Sequence, residues 1–386
     1  MKKILIVVPS FNSGGTITSL LNVASSIDKN LYEVYVYAIT NAGSNKAAIA
    51  RVCKIVGEED GTKRLTSSGG LKTKMMRFLK GSYKKLQGCG IDLSDMYFRH
   101  EIKKLEPYHF DYIIAFQEGT ATRFVSMIPF SKRIAWVRSE YSRYLKINKN
   151  PDETPIYDKI DKIVSVSKAS TNNFLNHFPH YQHKTFHVYN LINAERILKL
   201  SEEETHFQPD KDSFSIISIG RIDPVKRFDY IPSIAKGLLE RGLEVNWIIV
   251  GGYSPMNEGT YLELKRKIEQ EGMQEHVILF GQKNNPYPYL KACDLLVSLS
   301  SSETFNNTLT EAKILGVPVV TTDYECAFES VTQNVEGLIA PIEKIEETIA
   351  GILENRTLYE TLRNHLQDYS YNGKQILNDL YTKILN

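Results

Sequence analysis

The sequence predicts an α/β protein made of two Rossmann-like domains, each with a doubly wound parallel sheet. The chain has 386 residues, enough for two large domains at ~150 residues per domain. Short, apolar and β-branched segments alternate with helical patterns, and this alternation starts afresh near the middle of the chain. Such alternation is typical of parallel sheets covered by helices on both faces.

The first domain is expected to span residues 1–195. Its strands are predicted at 4–8, 32–38, 112–116, 134–137, 163–166 and 185–189. The apolar run 4–8 stops at Pro9 without a small-residue cleavage site, so we interpret it as a buried parallel strand and not as a signal peptide. No apolar stretch approaches the ~18 residues of a membrane span.

A polar, charged stretch around 195–213 is predicted to connect the domains. The second domain, 210–370, is expected to face the first across a central cleft, where open α/β sheets bind ligands. Its strands are predicted at 213–219, 245–250, 277–280, 294–299, 318–321 and 338–340, with helices at 228–241, 261–271 and 307–314. The rest, 342–386, has a mainly helical pattern.

Composition excludes several classes of protein. Hydrophobic residues make up 42% and charged residues 24% of the chain, as in ordinary globular proteins. The net charge of +2 gives no reason to expect a nucleic-acid partner. The cysteines Cys53, Cys89, Cys293 and Cys326 lack C-x-x-C spacing, which argues against disulfides or thiolate zinc and favours the cytoplasm.

Gly14 and Gly15 lie where the first strand gives way to a helix. Their N–H groups are placed to approach an anion or a sugar at the start of that helix. The alternative is a tight turn that binds nothing. The third glycine and the acidic residue of a dinucleotide fingerprint are missing.

Two cations follow the first strand of the second domain. The planar guanidinium of Arg221 and the ammonium of Lys226 both suit phosphate oxygens, and both follow the carboxyl end of a strand. The alternative is a solvated, positively charged loop.

Two carboxylates, Glu303 and Glu311, flank a predicted junction between a loop and a helix after strand 294–299. The N–H groups between them are directed at any anion bound there. Either residue alone has an ordinary explanation, because Glu is favoured near helix N-termini and on exposed helix faces. Together with Arg221 and Lys226 they indicate a ligand site.

These motifs resemble those of the retaining nucleotide-sugar glycosyltransferases of family 4, which have the GT-B architecture. The resemblance covers most of the chain and rests on the loop Gly14-Gly15, on Arg221 and Lys226, on Glu303-x7-Glu311, and on 316–320. The family also ends in a helix that crosses back to the first domain, which would correspond to 371–386.

The resemblance implies transfer of a sugar, with retention, from a nucleoside diphosphate, UDP being preferred, to a hydroxyl of a glycan, polysaccharide or lipid-linked acceptor. Residues matching Arg221 and Lys226 bind the diphosphate, Glu303 contacts the sugar, and Glu311 holds the ribose hydroxyls. Phe305, Asn306 and Asn307 belong to the same donor-binding loop. No cofactor or divalent metal is required, because cations and helix amides neutralise the leaving group.

The chain departs from this family at two places. The usual Glu-Gly-Phe-Gly reads Glu303-Thr304-Phe305-Asn306, so the glycines that permit close backbone approach are absent. Asn tolerates left-handed geometry, so Asn306 is a candidate to substitute for glycine. A histidine that lies near the donor sugar is replaced by Arg138. Arg138 is interpreted either as a contact to an acidic group of donor or acceptor, or as one half of a structural ion pair.

Residues 61–91 hold eight cations and no acid, with apolar residues at helical spacing. Without them the chain has 39 Lys and Arg against 45 Asp and Glu, a net charge of −6. The segment is either an amphipathic helix that docks on an anionic membrane, which would make the protein peripheral, or a helix of the first domain with a solvated basic face.

Three other interpretations are less well supported by the sequence. His177, His180, His183 and His187 have spacings that could converge on a metal, but Pro179 interrupts any helix and no metal site is predicted. A NAD-dependent oxidoreductase would need the missing fingerprint. A two-domain protein that binds a sugar or nucleotide without turnover stays open as an alternative.

Overall fold

The computed structural model describes residues 1–12, 14–40, 43–56, 94–205, 207–210 and 213–386. The basic segment 61–91 and Cys89 lie outside these residues. The chain forms two units. The first consists of Met1–Val166, Phe174–Val188 and Leu377–Asn386, and the second of Ser167–Asn173 and Tyr189–Ile376.

Within the described residues, the first unit contains a seven-stranded parallel sheet in the order β3-β2-β1-β4-β5-β6-β7. Its strands are β1 Lys2–Ser10, β2 Tyr32–Thr40, β3 Lys54–Ile55, β4 Tyr112–Ala115, β5 Lys132–Val137, β6 Lys162–Ser165 and β7 Thr185–His187. The side chains of residues 4–8 are fully buried, because helices cover both faces of the sheet. A continuous apolar run therefore fits the central strand.

Helices connect these strands. They are Gly15–Ser26, Lys46–Ala50, Ser94–Lys103, Thr120–Ser126, Tyr141–Ile147, Thr154–Tyr157 and Lys168–His177, with short 3-10 turns at Glu106–Tyr108 and Pro179–Lys184. Glu140 caps the N-terminus of helix Tyr141–Ile147, where its side chain accepts a hydrogen bond from the Arg143 N–H at 3.1 Å.

The second unit has a six-stranded parallel sheet in the order β10-β9-β8-β11-β12-β13. Its strands are β8 Phe214–Ile219, β9 Val245–Val250, β10 Val277–Gly281, β11 Leu295–Ser298, β12 Val319–Thr322 and β13 Gly337–Ala340. Ile216 and Ile217 are both fully buried but belong to separate apolar clusters on opposite faces. Both sheets follow the Rossmann order, which confirms the predicted fold class.

The helices of this unit are Ala194–Ser201, Ile231–Glu240, Glu258–Gln270, Tyr287–Ala292, Asn307–Ile314, Ala327–Ser330, Ile345–Glu354 and Arg356–Gln367, and the last helix, Gly373–Asp379, begins in this unit and continues past its boundary at Ile376. A 3-10 turn, Phe228–Tyr230, precedes the second of them, so the predicted helix 228–241 begins at Ile231, directly before Pro232. A π-helical turn, Leu380–Ile384, follows the last.

The boundary between the units differs from the predicted connection at 195–213. The chain enters the second unit at Tyr189, because helix Ala194–Ser201 packs against that unit and the Asn285 side chain donates to the Leu200 carbonyl at 2.8 Å. The first part of the polar stretch 195–213 is thus a helix that packs against the second unit.

The C-terminal segment returns to the first unit as predicted, but from residue 377 and not from 371. Tyr371 is held in the second unit, where its hydroxyl donates to the Asn190 carbonyl at 2.7 Å and accepts from the Ile192 N–H at 3.0 Å. In the first unit, Lys162 Nζ donates to the carbonyls of Lys383 and Ile384 at 2.7 and 3.1 Å.

Candidate functional site

The residues singled out in the second half of the chain meet at one edge of the second sheet. Strands β8 and β11 are neighbours, and the sheet order reverses between them. The loops that follow their carboxyl ends, 220–227 and 299–306, therefore lie side by side. Open α/β sheets bind ligands at this position.

Lys226 and Glu303 are joined across these two loops. Lys226 Nζ lies 2.6 Å from Glu303 Oε1, and the Ser300 hydroxyl donates to the same oxygen at 2.8 Å. Both side chains are about one-fifth exposed, so the pair is shielded but can be reached from solvent. The structure thus brings together two predicted site residues that are 77 positions apart.

Asp223, which the sequence analysis missed, builds the loop that holds Lys226. Its buried carboxylate accepts from the N–H groups of Val225 and Lys226 at 3.1 and 3.2 Å. Arg221 Nη2 lies 3.2 Å from Asp223 Oδ2, while the Arg221 side chain is 74% exposed. The sequence feature that could have identified Asp223 is its place directly before Pro224. Asp-Pro often starts a turn in which the Asp side chain accepts hydrogen bonds from the backbone.

Close backbone packing fixes where this loop starts. A Cβ atom on Gly251 would lie 1.7 Å from the Gly220 carbonyl oxygen, so only glycine fits after β9. A Cβ on Gly220 would lie 3.0 Å from Lys226 Cε, which shows that the lysine stem lies over Gly220. The two glycines therefore set the path of Lys226.

Asn306 is buried beneath the second loop. Its Nδ2 donates to Ser298 Oγ at 3.0 Å and to the Tyr324 hydroxyl at 3.1 Å. Its φ of −89° and ψ of 93° are extended, so Asn306 does not use the left-handed geometry that Asn tolerates. The amide is used to hold the loop against the sheet, which removes the need for a glycine-like conformation.

Phe305 and Asn307 flank this anchor and contact the segment by which the chain enters the unit. The Phe305 ring lies 5.9 Å from the Tyr189 ring, and Asn307 Oδ1 accepts from Asn190 Nδ2 at 3.0 Å. The Tyr189 hydroxyl donates to Glu329 at 2.9 Å. These contacts fix the backbone on both sides of Asn306.

Glu311 lies on helix Asn307–Ile314, as predicted, and is half-buried. It keeps part of its surface accessible, yet burial raises the pKa of its carboxyl to about 7, and a hydrogen bond from Tyr287 opposes this rise. The Tyr287 hydroxyl lies 3.4 Å from Glu311 Oε1. Tyr287 was not singled out, because nothing in its local sequence links it to Glu311.

In the first unit, Gly14 and Gly15 open the helix Gly15–Ser26 after β1. Gly14 has φ 145° and its carbonyl accepts from the N–H groups of Ile17 and Thr18. A Cβ on either glycine would meet no atom within 4 Å among the described residues. Within the described part of the chain, no atom therefore fills the space beside the first turn of this helix.

Arg138 follows β5 in the same unit. Its Nη1 and Nη2 each lie 3.0 Å from Ser19 Oγ, and its guanidinium carbon lies 4.1 Å from the centre of the Phe116 ring. Burial lowers the pKa of Arg138 to about 9, and the nearby carboxylate of Glu118 raises it only in part.

The described residues hold no group of three or more His, Cys, Asp or Glu side chains placed to bind a metal. His177 Nε2 lies 2.8 Å from the Ser142 hydroxyl, and His183 Nδ1 lies 3.0 Å from the His180 carbonyl. None of the helices in the described part of the chain combines the length and the apolar character needed to cross a bilayer.

Comparison with known sequences shows which proteins this chain is similar to. Residues 201–375 match the family described as Glycosyl transferases group 1. The chain is 26% identical over 300 residues, 76% of each protein, to the N-acetylgalactosamine-N,N'-diacetylbacillosaminyl-diphospho-undecaprenol 4-alpha-N-acetylgalactosaminyltransferase of Campylobacter jejuni. It is also similar to the capsular polysaccharide biosynthesis glycosyltransferase CapM of Staphylococcus aureus, with 26% identity over 166 residues. These residues are 42% of the length of each protein.

Among solved structures, HepE from Anabaena in complex with UDP superposes with a TM-score of 0.73 at 15% identity, and the match covers 100% of both chains. At this identity the likeness establishes the fold. The family match favours sugar transfer over the oxidoreductase and the non-catalytic binding protein. This chain is a glycosyltransferase of the GT-B fold, and its residues 201–375 match the family described as Glycosyl transferases group 1.

Proposed function

We propose that this glycosyltransferase moves a hexose or N-acetylhexosamine from UDP to a hydroxyl of a lipid-linked or polysaccharide acceptor, with retention at the anomeric carbon. The observation that carries the proposal is the Lys226–Glu303 pair at the reversal point of the second sheet. It places a cation and a carboxylate side by side, as a sugar diphosphate requires.

Each site residue has a role that its surroundings support. Lys226 and the exposed guanidinium of Arg221 bind the diphosphate, because both carry the charge and the donors that phosphate oxygens need. Glu303 accepts a hydrogen bond from a hydroxyl of the sugar, and the half-buried Glu311 accepts hydrogen bonds from the ribose hydroxyls. Phe305, Asn306 and Asn307 hold the connecting backbone in place.

The reaction breaks the bond between the anomeric carbon and the β-phosphate oxygen, and forms a bond from the acceptor oxygen to that carbon on the same face. The acceptor proton passes to the departing phosphate. Arg221 and Lys226 stabilise the negative charge that develops on the leaving group. In this proposal these two cations act in place of a divalent metal, and full turnover in EDTA would support it.

The relatives support the donor and the acceptor. HepE was crystallised with UDP, and the Campylobacter jejuni relative is named for transfer of N-acetylgalactosamine to a diphospho-undecaprenol glycan. We infer the same classes of substrate for this chain. The first unit, in which no described atom lies where side chains of Gly14 and Gly15 would extend, is proposed to receive the acceptor.

Membrane docking by 61–91 stays a prediction, because the segment lies outside the described residues. Its test is the distribution of the protein between membranes and the soluble fraction at low and high salt. Release by high salt would agree with docking on anionic lipid, and a protein already free of membranes at low salt would contradict it.

The experiment that tests the function is a transfer assay with UDP-, GDP- and ADP-sugars and an undecaprenyl-diphosphate-linked sugar as acceptor. We expect product from a UDP-sugar only, with the anomeric configuration of the donor as read by NMR coupling. Glu303→Gln should abolish transfer. Glu325→Gln, which changes an exposed glutamate of the same unit, should leave transfer unchanged. An inverted product, or full activity of Glu303→Gln, would contradict the mechanism.

A further inference from the structure

Ser300 is a buried serine of the candidate site to which the proposed reaction gives no role. It lies two residues after the end of β11 and is 1% exposed, so its side chain cannot reach a ligand directly. Its hydroxyl donates a hydrogen bond to Glu303 Oε1 at 2.8 Å, and Lys226 Nζ lies 2.6 Å from the same oxygen. Any effect of Ser300 on a bound donor must therefore pass through Glu303.

Glu303 is held at its backbone and at one of its two carboxylate oxygens. Its carbonyl accepts a hydrogen bond from the Cys326 thiol at 3.2 Å, and Oε1 has the two partners just named. Within the described part of the chain, no group donates a hydrogen bond to Glu303 Oε2. The Glu303 side chain is 18% exposed. Oε2 is thus the oxygen that remains for a ligand.

A buried amide sets the direction of the Ser300 hydroxyl. Asn306 Nδ2 donates to Ser298 Oγ at 3.0 Å and to the Tyr324 hydroxyl at 3.1 Å, which uses both of its hydrogens. Ser298 Oγ lies 3.4 Å from Ser300 Oγ. Because Ser298 already accepts from Asn306, its own hydrogen can turn to Ser300. The Ser300 hydrogen is then directed to Glu303.

Both ends of this series of hydrogen bonds are shielded from water. Ser300 and Asn306 are 1% and 3% exposed, and the Thr322 hydroxyl donates to the Ser300 carbonyl, which fixes the backbone there. Hydrogen bonds in such surroundings are stronger than at a surface, because water does not compete for the donors and acceptors. A glycine at position 306 would have no side chain to start the series.

We propose that Ser300 is a positioning residue, which fixes Glu303 by Oε1 and so directs Oε2 at a hydroxyl of the donor sugar. Asn306 orients Ser300 through Ser298. The inference rests on the proposed function, which assigns Glu303 to that sugar. The terminal torsion of a glutamate side chain is soft, so without the Ser300 hydroxyl the carboxylate can turn beside Lys226. A misdirected oxygen lowers the rate, because the sugar must be held in a reactive geometry.

The effect of Ser300 should fall on the sugar and not on the nucleotide, because Arg221 and Lys226 are assigned to the diphosphate. The test therefore measures two quantities. One is kcat/KM for transfer from UDP-glucose or UDP-N-acetylgalactosamine, whichever wild type uses better, to the undecaprenyl-diphosphate-linked acceptor. The other is the Kd for UDP, measured by calorimetry. We expect Ser300→Ala to lower kcat/KM about 10- to 100-fold and to change the Kd for UDP less than about twofold.

Ser301→Ala is the matched control at the neighbouring serine. Ser301 is exposed, and its hydroxyl lies 3.3 Å from the Val225 carbonyl, which the Ser301 backbone N–H already binds at 2.8 Å. Loss of this hydroxyl should change neither quantity more than about twofold.

Ser300→Thr and Ser300→Val form a second matched pair. The two new side chains have nearly the same shape, and only threonine carries a hydroxyl, so both variants share any cost of the added bulk in this buried place. We expect kcat/KM of Ser300→Thr to be at least about tenfold above that of Ser300→Val. This pair keeps the test valid where Ser300→Ala fails to fold.

Three results would overturn the inference. They are equal kcat/KM for Ser300→Ala and Ser301→Ala, equal kcat/KM for Ser300→Thr and Ser300→Val, and a loss of UDP affinity in Ser300→Ala as large as its loss of kcat/KM. The last result would show that Ser300 only keeps the loops in shape. Failure of the proposed function would differ, because wild type would then not bind UDP or transfer a sugar from it.

Discussion

Lys226 and Glu303 form an ion pair of 2.6 Å that links the loop after β8 to the loop after β11. The cation proposed for the diphosphate is thus held by the carboxylate proposed for the sugar. A bound donor would place its phosphate beside Lys226 and its sugar beside Glu303. Each side chain would then gain a contact to the donor, while the ion pair keeps the two loops next to each other.

Replacing Lys226 with Ala should reduce kcat about 100- to 1,000-fold, as removal of one donor from a developing charge commonly does. The measurement is steady-state release of UDP in the presence of acceptor. The control is Lys236→Ala. Lys236 lies on helix Ile231–Glu240 and forms an ion pair with Glu271, and its replacement should leave turnover at the wild-type value. A change in kcat below about threefold for Lys226→Ala would rule out its role at the leaving group.

Donor affinity should depend on pH through Glu311. The pKa of this carboxyl is raised to about 7, so it gains its charge as pH rises through 7, and only the ionised form accepts two ribose hydroxyls. The Kd for a UDP-sugar should therefore fall about tenfold from pH 6 to pH 8 and then level off. Calorimetry at several pH values measures this. Glu311→Gln should bind more weakly with no such dependence, and an unchanged pH profile in the variant would count against Glu311.

Gly251→Ala should destabilise the second unit by about 3 kcal/mol or more, because the new Cβ would lie 1.7 Å from the Gly220 carbonyl oxygen. Gly259→Ala, near the start of helix Glu258–Gln270, meets nothing within 4 Å among the described residues and should be neutral or stabilising by up to ~1 kcal/mol. Chemical denaturation of both variants tests this. Equal stability of the two would show that the backbone adjusts without cost.

Lys162→Met should destabilise the first unit by about 1–3 kcal/mol, because it removes two hydrogen bonds from a charged donor to the carbonyls of Lys383 and Ile384. Lys159→Met changes an exposed lysine close by in sequence and should have little effect. The measurement is the free energy of unfolding, with proteolysis of the C-terminal segment as a local readout. Protection equal to wild type in Lys162→Met would show that Tyr112, whose hydroxyl donates to the Leu385 carbonyl, holds the segment without it.

Local patterns were enough to predict the elements that carry the site. Helix Asn307–Ile314 has the predicted bounds, because a polar loop precedes it and Gly316, with φ 75°, follows its end. The parallel, doubly wound sheets follow from the alternation of apolar runs and helices. The glycines and cations stand at the ends of buried strands, where the parallel fold brings them together.

The partners of these residues could not be predicted, because they come from distant parts of the sequence. Asn190 reaches Asn307 across 117 positions, and Tyr287 reaches Glu311 from another helix. The extended conformation of Asn306 could not be predicted for the same reason: Ser298 and Tyr324 hold its side chain, and neither contact has a local signature. The boundary at Tyr189 depends on how helix Ala194–Ser201 packs.

Residues 377–386 complete the first unit, although they follow the second unit in sequence. During synthesis at ~5–20 residues per second, the ribosome needs roughly 10–40 s to pass from Tyr189 to Ile376. Throughout that interval the amino ends of β4 and β6 lack the carbonyls that Tyr112 and Lys162 later bind. The first unit is therefore translated early but reaches its final stability late, and nascent chains should be open to proteases at this edge until the C-terminal segment emerges.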